Sequence, residues 1–213
     1  MAFKGFAKAD FNVFQVEGLE ARMEQLKKRV RPKLETLGQS FAESLSAATG
    51  ETMYPHVARH ARRTVNPPKD TWVAIAGNRR GYKKHPHFQI GLWQSHVFLW
   101  FAVINEAENK EEIANRLQRS RNEWLNHLPK DFVFSKDHTK PEVGRFNEKD
   151  VKAMLERLKT VKKGEFLCGR TIEQAEAIRL SGKEWTQRIS DTFEPLIPLY
   201  RTAVNEIAVP VKQ

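Results

Sequence analysis

The chain has 213 residues, 40% of them hydrophobic and 29% charged. It is long enough to bury a substantial core, and no apolar run approaches the roughly 20 residues that a bilayer span requires, so a transmembrane reading fails. The formal charge is +10, and between Thr52 and Asn105 eight Arg and Lys meet a single carboxylate, Asp70, so seven of the ten net charges lie in one stretch.

The N-terminal stretch MAFKGFAKADFNVF lacks the apolar segment of a secretory signal, and the single Cys168 excludes an intramolecular disulfide; both point to the cytoplasm. Asp10 is a predicted N-cap ahead of an aromatic segment, Phe11 to Phe14, that packs onto the domain. Gly18 then opens a helix on which Leu19, Met23, Leu26 and Val30 form one apolar stripe. Pro32 has no N–H to donate, so it either kinks this helix or starts the next. Leu34, Leu37, Phe41 and Leu45 continue the period as far as Gly50, a natural helix terminator. Between the stripes, KKRVRPK reads as a solvated face.

The segment YPHVARHARRTVNPP, residues 54–68, fits either a helix or an extended chain, and in both His56 and His60 share one side. Asn66, Pro67 and Pro68 end regular structure in a stiff turn. Thr71 to Gly77 reads as a first strand. Asn78 to Pro86 is a loop with two basic pairs, Arg79 with Arg80 and Lys83 with Lys84, around Gly81 and Tyr82. In the next strand Phe88, Ile90 and Leu92 point one way while His87, Gln89, Gly91 and Trp93 point the other. Gln94 and Ser95 make a hairpin turn. His96 to Ile104 is apolar on both faces, which marks the middle of the sheet.

Beyond it, Asn109 to Leu128 is predicted as one helix closed by Pro129, and Phe132 to Ser135 as a strand. Asn147 is an N-cap for a helix bearing Val151, Met154, Leu155, Leu158 and Val161. Gly164 precedes a strand over Glu165 to Arg170. Two capping boxes follow, Thr171 with Gln174 and Ser181 with Glu184. The second starts a long helix with Trp185, Ile189, Phe193 and Leu196, which Pro195 and Pro198 bend; the terminal VPVKQ is a loose tail. This order does not alternate as a doubly wound fold does. It predicts a single α+β domain over residues 1–213, a two-layer α/β sandwich whose mixed, largely antiparallel sheet is flanked by helices.

The stretches DFNVFQVEGLEARM, RPKLETLG, HVARHARRTVNPPKDTWVAIA, RGYKKHPHFQIGLW and LIPLYRTAV resemble, in order and over nearly the whole chain, the YktB-like family of uncharacterised proteins from Bacillus and its relatives. The resemblance implies a cytoplasmic bacterial protein with one compact α/β sandwich, distantly similar in topology to the catalytic fold of biotin and lipoate ligases or class II synthetases. It implies no activity and carries over no catalytic residue, and the pattern of a biotin ligase's adenylate site is missing.

The chemistry-bearing residues gather in HVARHARR and RGYKKHPH. Arg forks pair with phosphate oxygens, Lys supplies a point charge, and Gly81 permits close backbone approach. Tyr82, His87 and Trp93 offer stacking surfaces, a mixture suited to a nucleotide or single-stranded nucleic acid. The candidate ligand-binding set is therefore His56, His60, Arg62, Arg63, Arg79, Arg80, Tyr82, Lys83, His85 and His87. A metal held by the four histidines is disfavoured by the surrounding positive charge, so neither metal nor cofactor is expected. Cys168 is expected to be an inert core thiol. No P-loop, GxGxxG, GxSxG or HExxH is present.

The leading expectation is a cytoplasmic binding protein whose basic sheet surface recognises a phosphate-bearing ligand, nucleic acid or nucleotide. One alternative is an enzyme on a small anionic or nucleotide-linked substrate, with His56, His60 or His87 as acid or base beside Arg62, Arg63 and Arg79. Another is an interaction protein that binds an acidic partner. The bland alternative is a solvated basic surface.

Overall fold

The computed structural model describes residues 3–145 and 147–204. It contains helices α1 (Lys8–Asn12), α2 (Leu19–Gln25) and α3 (Arg31–Thr49), strands β1 (Tyr54–Val57), β2 (Asp70–Ala76), β3 (His87–Trp93) and β4 (His96–Val103), then α4 (Lys110–Arg119), α5 (Arg121–His127) and β5 (Val133–Ser135). It continues through α6 (Glu148–Thr160), β6 (Phe166–Glu173), α7 (Gln174–Ala177), α8 (Gly182–Phe193) and α9 (Ile197–Val204). The strands form one sheet in the order β1-β2-β3-β4-β6-β5. Every pairing among the described residues is antiparallel, where a mixed sheet was expected. The excursion through α4, α5, β5 and α6 brings the chain back to lay β6 against β4 in the opposite direction. No helix of the described residues is long and apolar enough to cross a membrane.

Period-two alternation assigns the two faces. Val73, Ile75, Phe88, Ile90, Leu92, Leu99, Phe101, Phe166 and Cys168 join a large apolar cluster with the inward stripes of α3, α4, α6, α8 and α9. The opposite face carries a smaller cluster of Trp93, Phe98, Trp100, Ala102, Ile104 and Leu167, with Trp72 and Val133 against it, and no helix contributes to it. This is the predicted two-layer sandwich, with the helices gathered on one face. All of β3 and β4 is buried, as the doubly apolar pattern predicts. Cys168 is fully buried, and burial raises its pKa well above the usual thiol range, so the core-thiol reading holds.

Local signals fail where tertiary pairing outcompetes them. Asp10 sits inside α1 and caps it from the third position, accepting from the Ala7 N–H, while it also pairs with Lys33. Pro32 starts α3 after a π-turn over Leu26–Val30 that carries the helix across the missing donor. The predicted helix over Asn109 to Leu128 breaks at Ser120, whose hydroxyl bonds the Arg116 carbonyl, so that Trp124 can turn its indole N–H onto the Leu117 carbonyl. Thr171 caps nothing: it pairs with Phe98 and keeps β6 extended to Glu173. Pro195 falls in a 3-10 turn that separates α8 from α9. Gly50, Asn147 and the Ser181–Glu184 box cap as expected, and VPVKQ lies outside the described residues.

Gly169 is where β6 comes closest to β4: a Cβ built there would lie 1.9 Å from the Leu99 carbonyl oxygen. Gly50 has a left-handed φ of 83° and open space around it. Gly169→Ala is expected to cost roughly 3 kcal/mol or more through overpacking. Gly50→Ala should cost about 1 kcal/mol through its backbone conformation alone. Urea unfolding of the two variants checks the order, and equal losses would mean that β6 shifts freely from β4.

Candidate functional site

Three loops cover the sheet face that lacks helices. Alternation along β2 places Asp70 and Trp72 on this face, and the β2–β3 register sets Asp70 directly opposite Trp93. Residues 58–69 form the first loop, tied down by the Ala58 N–H on the Trp72 carbonyl and the Arg22 guanidinium on the Pro68 carbonyl. Within it His60 takes a left-handed φ of 52°. Its Nε2 reaches to 3.2 Å from Thr71 Oγ1, and its ring stands edge-on to Trp72.

The second loop, residues 77–86, turns back over the sheet because the Trp72 indole N–H donates to the Tyr82 hydroxyl at 3.0 Å. This puts Lys83 Nζ 6.0 Å from the centre of the Trp72 ring and 3.1 Å from Glu106. Lys84 pairs with Glu108 at 2.7 Å. The third loop, residues 136–145, is held through His138. The buried Glu165 carboxylate accepts its backbone N–H at 2.7 Å and its Nδ1–H at 2.8 Å, and also accepts the Asn105 N–H.

Where the first and third loops fail to meet, they leave a cleft of about 970 Å³. Trp72 and Trp93 line its floor with Asp70 between them, Arg59, Arg62, Arg63 and Lys69 come from the first loop, and His60, Lys83 and His138 complete the wall. The cations fall into two kinds. Lys83 and Lys84 are neutralised by glutamates. Arg59, Arg62, Arg63 and Lys69 are exposed and have no ion pair among the described residues.

Burial tunes the titratable groups around these cations. The His60 pKa falls to about 4, through burial first and then Arg63, Arg31 and Lys83, so the ring is neutral near pH 7. Burial pushes Asp70 up to about 6 against the pull of His138, Arg63 and Lys83. For His138 burial acts downward, but the hydrogen bonds and charge of Glu165, helped by Glu106, raise its pKa overall.

The ten predicted site residues divide. His60, Arg62, Arg63 and Lys83 line the cleft together. Tyr82 serves beneath them as the hydrogen-bonded prop of Trp72, and burial lifts its pKa to about 12. His56 faces a neighbouring depression with Arg31 and Glu35, stacked on the Tyr82 ring, with Nε2 donating to the Asn78 carbonyl. His85 lends its carbonyl to His87 Nδ1. His87 is sealed inside the sheet, where Gln89 donates to its Nε2, so it touches no ligand.

Arg79 and Arg80 follow the far end of β2, seven residues along the strand from the first loop, and Arg79 lies over the Tyr54 ring. The two basic segments therefore meet in the cleft through Lys83, and outside it through the stack of His56 on Tyr82. The four histidines form no common metal site among the described residues. Asp137, His138 and Glu165 do bring ligand atoms within 4.8 Å of one another, but Glu165 is occupied by N–H donors and Lys140 lies 3.8 Å from Asp137. Their evident work is to clasp the third loop.

The site also recruits residues that the sequence reading left out. Arg59 and Lys69 were counted as charge only. Asp70 and Trp72 were legible in principle, because Asp70 is the lone carboxylate of the basic stretch and strand alternation puts it beside Trp72. His138 has no sequence signal, since it arrives from a loop whose position depends on Glu165. Trp93, expected as a stacking surface, is in place.

With this geometry established, comparison with known proteins fixes the relationship. The family model described as domain of unknown function DUF1054 matches residues 6–200. A UPF0637 protein of Bacillus velezensis is 50% identical over 200 residues, covering 92% of this chain and 94% of its own. A UPF0637 protein of Bacillus licheniformis is likewise 50% identical, over 199 residues, and covers 92% of this chain and 94% of its own. One from Oceanobacillus iheyensis is 48% identical over 201 residues, 94% of this chain and 97% of its own. The chain thus belongs to the DUF1054 family of bacterial proteins of unknown function, as the resemblance of its motifs implied.

Proposed function

We propose that the protein binds a small phosphate-bearing ligand of nucleotide size in the cleft between the first and third loops. The observation that carries this reading is that Arg59, Arg62, Arg63 and Lys69 stand at a tryptophan-floored cleft without an ion pair among the described residues. Exposed like charges repel one another and stay hydrated unless an anion joins them. Guanidinium forks grip phosphate oxygens in two parallel hydrogen bonds. A volume of about 970 Å³ lies at the upper end for small-molecule sites. The indoles offer an apolar surface for a ring, so one molecule with a ring and a phosphate satisfies floor and rim together. On this reading the protein works in the cytoplasm, the compartment that holds the nucleotide pool.

The acid–base enzyme reading loses two of its three histidines, because His87 is sealed and His56 lies in the neighbouring depression. The acidic-partner reading calls for an apolar patch beside the charge. The exposed large hydrophobics among the described residues, Val65, Val143, Val161 and Ile178, come from four separate segments.

A thermal-shift screen of mononucleotides, sugar phosphates and short oligonucleotides tests the proposal. A ligand at a hundred times its Kd stabilises by about 2.7 kcal/mol. For a chain of this size that raises Tm by roughly 5–10 °C. A single-stranded nucleic acid would instead show affinity falling with salt at a log-log slope of about −0.7 per phosphate engaged. If no phosphate compound shifts the melt at low salt, the reading is wrong.

The triple variant Arg59→Ala, Arg62→Ala, Arg63→Ala should weaken binding roughly 100-fold, since it removes several charge-assisted hydrogen bonds. The substituted side chains are exposed and form no ion pair among the described residues, and Arg63 gives up only a long bond to the Asn66 carbonyl, so stability should change by only about 0.5 kcal/mol per site. Unchanged affinity, measured by calorimetry, would place the anion elsewhere.

A further inference from the structure

Among the described residues lining the cleft, Asp70 is the one acidic group, and the proposed binding function does not yet use it. It opens β2 with 7% exposure, opposite Trp93 and two residues before Trp72. Its neighbours' carboxylates are all engaged: Glu106 with Lys83, Glu108 with Lys84, Asp137 with Thr139 and Glu165 with His138. Asp70 accepts a backbone N–H and enters no ion pair among the described residues. A carboxylate has about four acceptor positions, so this one has room to accept further N–H groups from a ligand in the cleft. An anion at the floor also repels phosphate, so the part of the ligand that it faces is the ring.

The ring chemistry follows from the donor pattern. A carboxylate accepts best from two adjacent donors, one per oxygen. Adenine and cytosine present an amino group beside a bare ring-nitrogen lone pair, which a carboxylate repels. Uracil presents one ring N–H between two carbonyls. Guanine alone among the common bases places a ring N–H next to an exocyclic amino group. Resting on the phosphate-ligand reading, we propose that Asp70 reads the Watson–Crick edge of guanine, so that the ligand is a guanine nucleotide lying on the Trp72 and Trp93 floor with its phosphate at Arg59, Arg62 and Arg63.

The pH dependence has a definite sign. Arg63 from the first loop, Lys83 from the second and His138 from the third face Asp70, and burial outweighs all three. The carboxylate accepts both donors only when ionised, so guanine preference is full well above pH 6 and fades as pH falls through about 6. The same raised pKa means that the folded state holds this proton more tightly than the unfolded one. Asp70 therefore disfavours folding as pH rises through that range, and Asp70→Asn should melt no lower than the parent protein at neutral pH.

Calorimetry on the intact chain with guanosine, inosine and adenosine 5′-monophosphates and ribose 5-phosphate tests the assignment. Guanosine monophosphate should bind at least ~10-fold tighter than the inosine and adenosine forms, because inosine lacks the amino donor to a charged acceptor. Asp70→Asn should erase that difference while ribose 5-phosphate affinity does not fall, because the floor loses an anion that repels phosphate. Measurable binding of all three nucleotides with equal affinity would overturn the guanine assignment and leave the phosphate site standing. Failure of all four compounds to bind would remove the phosphate reading and this inference with it. The comparison of guanosine with inosine decides on the parent protein alone, even if the variant folds poorly.

Discussion

Strands β3 and β4 are buried along their whole length, so both faces of the sheet must be covered, and the fold covers them by different means. Helices cover one face with an apolar stripe and satisfy their backbone groups internally. Loops cover the other, and a loop brings unpaired N–H and C=O groups that must find partners or stay near water. That difference accounts for the polar character of the second face. The Trp72–Tyr82 bond, the Ala58 tie to the Trp72 carbonyl and the Glu165–His138 clasp each fasten a loop with hydrogen bonds where a helix would have used packing. The cleft is the gap the loops leave open.

Charge is sorted by the same geometry. Lysines on the second loop lie against Glu106 and Glu108, which follow β4, in exposed pairs that water screens. The cations of the first loop form no ion pair among the described residues, although Arg63 faces Asp70 and donates to the Asn66 carbonyl. Asp70 lies in the same cleft and enters no ion pair among the described residues. A cationic rim over an aromatic floor with one buried acceptor is a polarised arrangement, and the proposed nucleotide reading rests on it.

Membership of the DUF1054 family rests on identity of about half of the positions with its Bacillus relatives over nearly the full chain. Folds host many unrelated functions, and a family described as of unknown function supplies no role for any residue. The functional argument therefore stands on the cleft itself.

Read without coordinates, the chain already disclosed its architecture. The alternation of His87 to Trp93, the doubly apolar His96 to Ile104 and the stripes of Leu34 to Leu45 and Val151 to Leu158 are local patterns, and a local pattern settles which face of an element is buried. It also named ten candidate site residues, of which His60, Arg62, Arg63 and Lys83 line one cleft. What it could not decide was convergence. Arg79 and Lys83 lie four residues apart in the chain, yet Lys83 lies over the Trp72 ring while Arg79 stays over Tyr54, because the Trp72–Tyr82 bond turns the chain between them. His138 joins Trp72 from 66 positions downstream through the buried Glu165. Composition and period are properties of short segments, whereas a site is a set of distances between distant ones, and only the folded sheet and its hydrogen-bonded loops fix those.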